Sequence, residues 1–182
     1  MELTKEKLKS TPKALAQFGY KNALAAPRLV KIVVSSGTGS GMKKDREKNN
    51  TVSDRLAKIT GQKTSLRVAK QSVASFKIRE GDPVGVTVTL RGARMINFLD
   101  KLVHIALPRT KDFRGLDKKA VDSMGNITLG IKEHTIFPEA ADEDLRDVFG
   151  LAITMVSTAK SKEEATAFFE HLGIPFKKDA VK

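Results

Sequence analysis

Residue types that support whole classes of function are scarce or missing from this sequence. The 182 residues include no Cys, no Trp, one Tyr and only three His. Without Cys the chain has neither disulfide bonds nor thiolate zinc sites. The three histidines, His104, His134 and His171, share no local spacing. The sequence therefore predicts no metal site.

Long apolar runs are missing as well. No window approaches the roughly 18 consecutive apolar residues of a membrane-spanning helix. The basic N-terminal stretch, residues 1–15, is not followed by the apolar core of a signal peptide. We therefore expect a cytoplasmic protein with no membrane partner.

Positive charge, in contrast, is abundant and lies in the first half of the chain. The formal net charge is +12. Residues 1–94 hold 20 Lys or Arg and 7 Asp or Glu, whereas residues 95–182 hold 13 and 14. Such an excess destabilises the protein by self-repulsion unless a polyanion offsets it, which favours a nucleic-acid partner. The alternatives are a solvated basic surface and, less favoured, an anionic membrane surface.

Hydrophobic periodicity predicts an alternation of helices and strands. The helices fall at residues 3–18, 45–59 and 93–107 and after a capping box at Ser161–Glu164, and the strands at 29–35, 65–69, 84–90, 126–132 and 151–158. Long loops are expected at 71–83 and 109–125, and Pro108 is expected to end the third helix. Adjacent strands without intervening helices predict an α+β fold. Its mixed, largely antiparallel sheet has helices packed on one face, in a single domain over residues 1–182.

A sheet covered on one face leaves its other face free for RNA. The strand at 84–90 places its large aliphatic residues on one face and Gly85, Thr87 and Thr89 on the other. Small hydroxyl-bearing residues let a phosphodiester backbone approach closely and can hydrogen-bond phosphate and ribose. An ordinary solvated sheet face is the alternative, although such a face usually carries more long charged side chains.

No constellation of residues points to catalysis. The glycine-rich run Gly37–Lys44 lies between a strand and a helix, but it has neither the Walker spacing nor the dinucleotide-binding spacing. The acidic residues cluster as Glu139, Asp142, Glu143, Asp144 and Asp147. This cluster is typical of a solvated surface or a docking patch for a basic partner. We expect no enzyme, no cofactor and no catalytic residue.

The segment Lys58–Arg94 has the composition best suited to RNA. It holds eight basic residues against Glu80 and Asp82, together with several Ser, Thr and Gln. The strands lack the Lys/Arg-Gly-Phe-Gly-Phe signature of sheets that stack bases on aromatic rings. Binding should therefore depend on shape, phosphate and 2′-OH contacts more than on stacking. From this stretch, Lys70 and Thr87 are predicted rRNA contacts.

The same segment carries a resemblance to a known family. LAKITGQKTSLRVAKQSVASFKIREGDPVGVTVTLRG, residues 56–92, resembles the signature of large-subunit ribosomal protein number five, the bacterial 5S-rRNA binder. Further pieces match in the family's order: PRLVKIVV at 27–34, IALPRTKDFRGL at 105–116, Gly125-Asn126, IFPE at 136–139, TAKSKEEA at 158–165 and GIPFKK at 173–178. The resemblance extends from about residue 12 to residue 178.

The resemblance implies a curved antiparallel sheet and binding to 5S rRNA in the central protuberance of the large subunit. Carried over by position, the rRNA contacts are Lys31, Ser35, Gln62, Lys63, Ser72, Thr89 and Arg91. The 72–81 loop, with Ser75, Phe76, Lys77 and Arg79, corresponds to the family's extension toward P-site tRNA. The 109–116 loop, with Arg109, Lys111, Asp112, Phe113 and Arg114, corresponds to the intersubunit bridge to a small-subunit protein.

The resemblance also implies a location on the ribosome, beside large-subunit rRNA and neighbouring ribosomal proteins. Three places depart from the family pattern. Ser35 stands where Asn is usual, Ser75 replaces a usual Gly, and residues 42–54 are unusually polar. A free-standing RNA chaperone or translational repressor using the same face is the alternative function. A phosphoryl-transfer or hydrolytic enzyme is the least favoured.

Overall fold

The computed structural model describes residues 3–20, 22–39, 48–111, 113–140 and 148–177. In these ranges the strands are β1 Leu29–Gly37, β2 Ser65–Val68, β3 Pro83–Leu90, β4 Ile127–Ile131 and β5 Leu151–Ser157, and the longer helices are α1 Leu3–Ala14, α2 Lys48–Thr60, α3 Gly92–Lys101 and α4 Lys162–Leu172. The strands form one antiparallel sheet in the order β2-β3-β1-β5-β4. The predicted α+β class and the predicted order of elements are confirmed.

Burial alternates along the sheet as the sequence predicts. Ile32 and Val34 on β1, and Ile153 and Met155 on β5, are fully buried, while the residues between them are half-exposed. Successive side chains of a strand point to opposite faces, so one face carries the core and the other remains partly open. This is the pattern of a sheet covered on one face.

The chain divides into two compact units, which are described separately. The helical unit comprises Met1–Ile32, Arg91–Leu129 and Thr154–Lys182. The hairpin unit comprises Val33–Leu90 and Gly130–Ile153. The single domain expected from the sequence stays a prediction.

In the helical unit, α1 packs against both α3 and α4. The core there includes the fully buried rings of Phe98, Phe168 and Phe169. Burying a side chain of this size stabilises the fold by roughly 1.5–3 kcal/mol, so these apolar faces hold the helices in place. A polar contact also joins α1 to α3: the buried Thr4 hydroxyl donates to the buried Asp100 carboxylate.

The prediction that Pro108 ends the third helix is wrong. The helical path continues beyond α3 through a π-helical segment, Leu102–Ala106, and then one α-helical turn, Leu107–Arg109. Proline normally breaks a helix because it lacks an N–H and clashes with the preceding turn. Here the hydrogen bond just before the proline is of the wider π type, from the Leu107 N–H to the Leu102 carbonyl. Pro108 lies at the start of the new turn, where the backbone does not need an N–H donor.

The predicted capping box at the start of α4 is confirmed with one difference. The Ser161 side chain accepts a hydrogen bond from the Glu164 N–H at 3.2 Å. The Glu164 carboxylate accepts from the N–H of Lys160 at 2.7 Å, one residue before the cap itself. Gly173 ends the helix in the left-handed conformation, as expected for a C-terminal glycine.

In the hairpin unit, α2 packs on β3 through the fully buried Val52, Leu56 and Ile59. The helix ends at Thr60, one residue later than predicted, and its predicted first residues, 45–47, lie outside the described ranges. Gly61 has a φ of 66° and donates its N–H to the Ala57 carbonyl at 2.8 Å. This turn directs the chain from α2 into β2.

The predicted long loop at 71–83 is instead an ordered hairpin arm. The N–H of Ala69 donates to the Asp82 carbonyl at 2.8 Å, which extends the antiparallel β2–β3 pairing beyond both strands. Farther out, Val73 and Ile78 exchange two backbone hydrogen bonds of 2.9 and 3.2 Å. Periodicity missed this arm because its apolar residues are few and exposed. We call residues 69–82 the arm.

Candidate nucleic-acid interface

The open sheet face of the hairpin unit carries small side chains. Ser35 on β1 and Thr89 on β3 are half-exposed. Thr87, which the sequence places beside Thr89, is only 6% exposed, and its hydroxyl donates to the Val34 carbonyl at 3.3 Å. Thr87 thus differs from the accessible threonine expected, because the neighbouring strands cover a side chain this short.

Strand β3 approaches β1 closely at Gly85. A Cβ added to this glycine would lie 3.0 Å from the Ser36 carbonyl oxygen, so a larger residue would push the strands apart. The missing side chain also lowers the open face at this point. Next to it, the Ser35 hydroxyl donates to the Ala152 carbonyl at 3.4 Å. Its oxygen can still accept a hydrogen bond, as a ribose 2′-OH would require.

The turn after α2 holds Gln62 and Lys63 beside β3. The Gln62 side-chain amide donates to the Thr89 carbonyl at 3.0 Å, and the Thr60 hydroxyl donates to the Leu56 carbonyl at 2.8 Å. These two hydrogen bonds stabilise both ends of the turn. The Lys63 side chain is exposed. Gln62 therefore has a positioning role within the protein, and Lys63 offers the positive charge.

Strand β2 adds a cation that the predicted contact set lacks. Ser65 pairs with Thr87 and Arg67 pairs with Gly85, and directly opposed residues share a face of a sheet. Arg67 therefore lies on the open face, and it is exposed. The sequence places Arg67 in a basic stretch, but its face depends on the register between strands, which alternation within one strand does not reveal. Lys70 follows at the base of the arm, also exposed.

The arm brings the predicted tRNA-contact residues together at its outer end. Ser75 and Phe76 belong to a 3-10 turn, Ala74–Phe76, and Lys77 ends that turn with a φ of 52°. All three side chains, and that of Arg79, are exposed.

Two further hydrogen bonds stabilise the base of the arm. The Ser72 hydroxyl accepts from the Glu80 N–H at 3.0 Å, so it supports the turn. The Asp82 carboxylate accepts from the Arg79 N–H at 2.8 Å, which leaves the Arg79 guanidinium outside this contact.

The helical unit contributes Lys31 and Arg91 of the predicted rRNA contacts. Lys31 is half-exposed on β1, and Arg91 is exposed at the residue before α3. The Arg91 guanidinium donates to the Val30 carbonyl at 3.5 Å, which holds its base near β1. Thr128 and Thr154 on the neighbouring strands have hydroxyl oxygens 3.1 Å apart. Thr154 is absent from the predicted set, although its alternation with buried Ile153 and Met155 would have revealed it.

The predicted bridge loop follows the last turn of the third helical path. Arg109, Lys111 and Arg114 are exposed, Phe113 is half-buried, and Asp112 lies outside the described residues. The C-terminal segment anchors the end of this loop. The Leu116 N–H donates to the Pro175 carbonyl at 2.8 Å, and the Lys177 N–H donates to the Leu116 carbonyl at 2.8 Å.

The glycine-rich segment after β1 is engaged with its own sheet where the structure describes it. The N–H groups of Thr38 and Gly39 both donate to the Val84 carbonyl, at 3.0 and 3.2 Å, and are thus turned away from any phosphate. Residues 40–44 of the run lie outside the described ranges, as do Asp142, Glu143, Asp144 and Asp147 of the acidic cluster. Glu139 is exposed.

The three histidines differ in their surroundings. His134 is buried, stacks on Phe149 with ring centroids 4.1 Å apart, and accepts from the Phe149 N–H at 3.3 Å. His171 lies 2.8 Å from the Lys7 carbonyl, and His104 is exposed. In the described ranges no three His, Asp or Glu residues converge as metal ligands would. No helix in those ranges has the length and apolarity to cross a bilayer.

Comparison with known proteins gives one consistent result. Residues 22–79 match the family model "Ribosomal protein L5", and residues 83–176 match the model of the C-terminus of the same ribosomal protein family. Large ribosomal subunit protein uL5 of Desulfatibacillum aliphaticivorans is 48% identical over 167 residues, which cover 92% of this chain and 93% of that protein.

Two further relatives share this relationship. The uL5 proteins of Trichlorobacter lovleyi and Natranaerobius thermophilus are each 46% identical over 165 residues, covering 91% of this chain and 92% of theirs.

The matches begin before β1 and end within the segment that pairs with Leu116, so they span both units. Members of this family are structural proteins of the ribosome and not enzymes, with rRNA and other ribosomal proteins as partners and the ribosome in the cytoplasm as their location. The chain belongs to the ribosomal protein L5 family and is a structural constituent of the large ribosomal subunit.

Proposed function

We propose that this protein binds 5S rRNA through the open face of its sheet and attaches it to the central protuberance of the large subunit. One observation carries the proposal. The open face consists of small residues, among them the half-exposed Ser35 and Thr89, and the cations Lys63, Arg67 and Lys70 of the same unit are exposed. A flat, hydroxyl-bearing surface flanked by cations fits the shallow minor groove of an RNA helix, where 2′-hydroxyls and phosphates are displayed.

The electrostatics and the hydroxyls have separate tasks in this proposal. Lys63, Arg67 and Lys70 of the hairpin unit, with Lys31 and Arg91 of the helical unit, neutralise phosphates and supply most of the affinity. The Ser35 hydroxyl, which already donates within the sheet, can only accept, and a 2′-OH is the backbone group of RNA that donates. The face would therefore distinguish RNA from DNA. Thr87 is omitted from the contacts because it is buried.

The arm and the bridge loop serve two other contacts in the proposal. The exposed Lys77 and Arg79 at the end of the arm reach the P-site tRNA, whose arrival and departure suit modest, salt-sensitive phosphate contacts. The exposed Arg109, Lys111 and Arg114 face a small-subunit ribosomal protein across the intersubunit bridge.

The proposal is tested by placing a negative charge on the open face. Thr89→Glu should weaken 5S rRNA binding at least tenfold in filter-binding titrations, because the carboxylate repels the phosphates that approach the sheet. Thr166→Glu is the matched control, since Thr166 is also half-exposed but lies on α4 of the helical unit. Both variants change the net charge equally, so a purely global charge effect would weaken binding equally.

The two outcomes separate clearly. The sheet face is supported as the 5S platform if only Thr89→Glu loses affinity for 5S rRNA. In that case an unrelated RNA of equal length should bind the variant no more tightly than it binds the wild-type protein. Equal losses for both variants, or no loss for either, would mean that 5S rRNA binds elsewhere or that the protein is only a general polyanion binder. Thermal unfolding of both variants checks that each is folded.

A further inference from the structure

The outer end of the arm presents an aromatic ring to solvent. Phe76 is 69% exposed, the largest exposed fraction of any aromatic residue in the described ranges. Of the other phenylalanines there, Phe18 is 36% exposed and the rest are half-buried or buried, among them the fully buried Phe98 and Phe168. An exposed Phe ring has no polar group to solvate, so holding it in water is unfavourable unless a partner covers it.

The backbone around Phe76 holds the ring outward. The paired bonds between Val73 and Ile78 close the turn beneath it. The Lys77 N–H donates to the Ala74 carbonyl at 3.0 Å, and Lys77 adopts a φ of 52°, a conformation that non-glycine residues seldom take. Such a turn costs conformational energy and is kept where the surrounding hydrogen bonds enforce it. The ring is therefore presented from an ordered turn, at a low entropic cost on binding.

The charges around the ring indicate which class of partner fits. Lys77 follows Phe76 directly, and Arg79 lies two residues farther on, both exposed. The nearby acids are Glu80, whose side chain is exposed, and Asp82, whose carboxylate is engaged by the Arg79 N–H at the base of the turn. An aromatic ring with adjacent cations is the combination that binds unpaired nucleotides, in which bases stack on the ring and phosphates contact the cations.

We propose that Phe76 stacks on an unpaired nucleobase of the RNA that the arm contacts. This inference rests on the proposed tRNA contact and deepens it: the arm reads an unstacked base, such as one in an RNA loop, in addition to phosphates. It also adds to the sequence-based expectation that binding depends on phosphate and 2′-OH contacts more than on stacking, because that expectation considered only the strands. The sheet face binds paired RNA by shape, and the arm binds a base that duplex RNA does not offer.

The chain's lack of tryptophan makes the test direct. A full-length Phe76→Trp variant carries one indole, whose fluorescence is quenched when a base stacks on it. We expect quenching by a tRNA transcript and much less by a fully paired RNA duplex of equal length. Leu66→Trp is the matched control, because Leu66 is also an exposed apolar residue of the hairpin unit, on β2 and outside the arm. Its indole should be quenched far less.

Affinity variants separate stacking from charge. Phe76→Leu keeps an apolar side chain but removes the ring, and it should weaken tRNA binding roughly five- to a hundredfold while leaving the salt dependence unchanged. Arg79→Ala should weaken tRNA binding and also reduce its salt dependence. Neither variant should change 5S rRNA affinity, and both should unfold at the wild-type temperature because both side chains are exposed.

Each outcome bears on a definite claim. Unchanged tRNA affinity in Phe76→Leu, or equal quenching of the two indoles, would overturn the stacking proposal while leaving the phosphate contacts of the arm intact. The proposed tRNA contact itself fails if tRNA binds as weakly as duplex RNA to the wild-type protein, and if the same is true of Arg79→Ala. If Phe76→Leu lowers 5S affinity instead, the ring belongs to the 5S interface.

Discussion

Tyr20 is the only tyrosine in the chain, and its hydroxyl donates to the Glu164 carboxylate. Burial, the hydrogen bond to Glu164 and repulsion by its charge all raise the pKa of Tyr20 well above its usual value of 10.0. A raised pKa means that this group's contribution to stability is fully present below about pH 10 and is lost as the pH rises above it. The protein should therefore become less stable in this alkaline range.

Near-ultraviolet absorbance reports this titration without interference from other tyrosines or from tryptophan. We expect the denatured protein to form tyrosinate near pH 10, and the folded protein to remain protonated to distinctly higher pH. Tyr20→Phe should cost about 1 kcal/mol at neutral pH and should lack the Tyr20-dependent part of the alkaline loss. A folded protein that titrates together with the denatured one would show that the bond to Glu164 is not made.

Gly125 shows why a single residue type can be required. Its φ is 78°, and an added Cβ would lie 2.7 Å from the Ala159 carbonyl oxygen. Gly125→Ala should destabilise the protein by roughly 1–3 kcal/mol from the backbone conformation alone, and further through the clash. Gly130→Ala is the control, because Gly130 has open space at its Cβ position and no positive φ. Denaturant midpoints measure both, and equal shifts would contradict this explanation.

At the level of elements, α4 depends on its cap. Ser161→Ala removes the acceptor for the Glu164 N–H and should cost about 1 kcal/mol, the usual value for a serine N-cap. Ser123→Ala, at an exposed serine outside any helix, should change stability by less than about 0.5 kcal/mol. Thermal unfolding compares the two variants, and a Ser161 loss no larger than the Ser123 loss would mean that packing alone starts this helix.

The elements also show how far a single sequence predicts a fold. Strict alternation and helical spacing reveal strands and helices that are buried on one side. The bounds of β3 and α4 are therefore predicted almost correctly. The π-helical segment before Pro108 and the arm are missed for another reason. The π-helical bonding and the cross-strand pairing of the arm are both backbone hydrogen-bond patterns, which the spacing of apolar side chains does not record.

For the molecule as a whole, composition predicts the class of partner better than it predicts individual contacts. The charge excess in residues 1–94 indicates a polyanion, and the family resemblance indicates which one. The burial of Thr87 and the place of Arg67 on the open face follow from how strands pair, which no single strand's pattern records. The contact residues themselves stay predictions, and their side-chain exposure is what the structure adds.

If the proposed interface neutralises phosphates, the salt dependence of the affinity reports the number of phosphate contacts. The logarithm of the binding constant falls linearly with the logarithm of salt concentration, with a slope of about −0.7 to −0.9 per phosphate neutralised. Lys63→Ala should therefore reduce the magnitude of the 5S rRNA slope by about 0.7 to 0.9 and weaken binding. Lys162→Ala, at an exposed lysine of α4, removes the same charge and should leave the slope unchanged. Two equal reductions would indicate a diffuse cationic field, and an unchanged slope for Lys63→Ala would remove this residue from the interface.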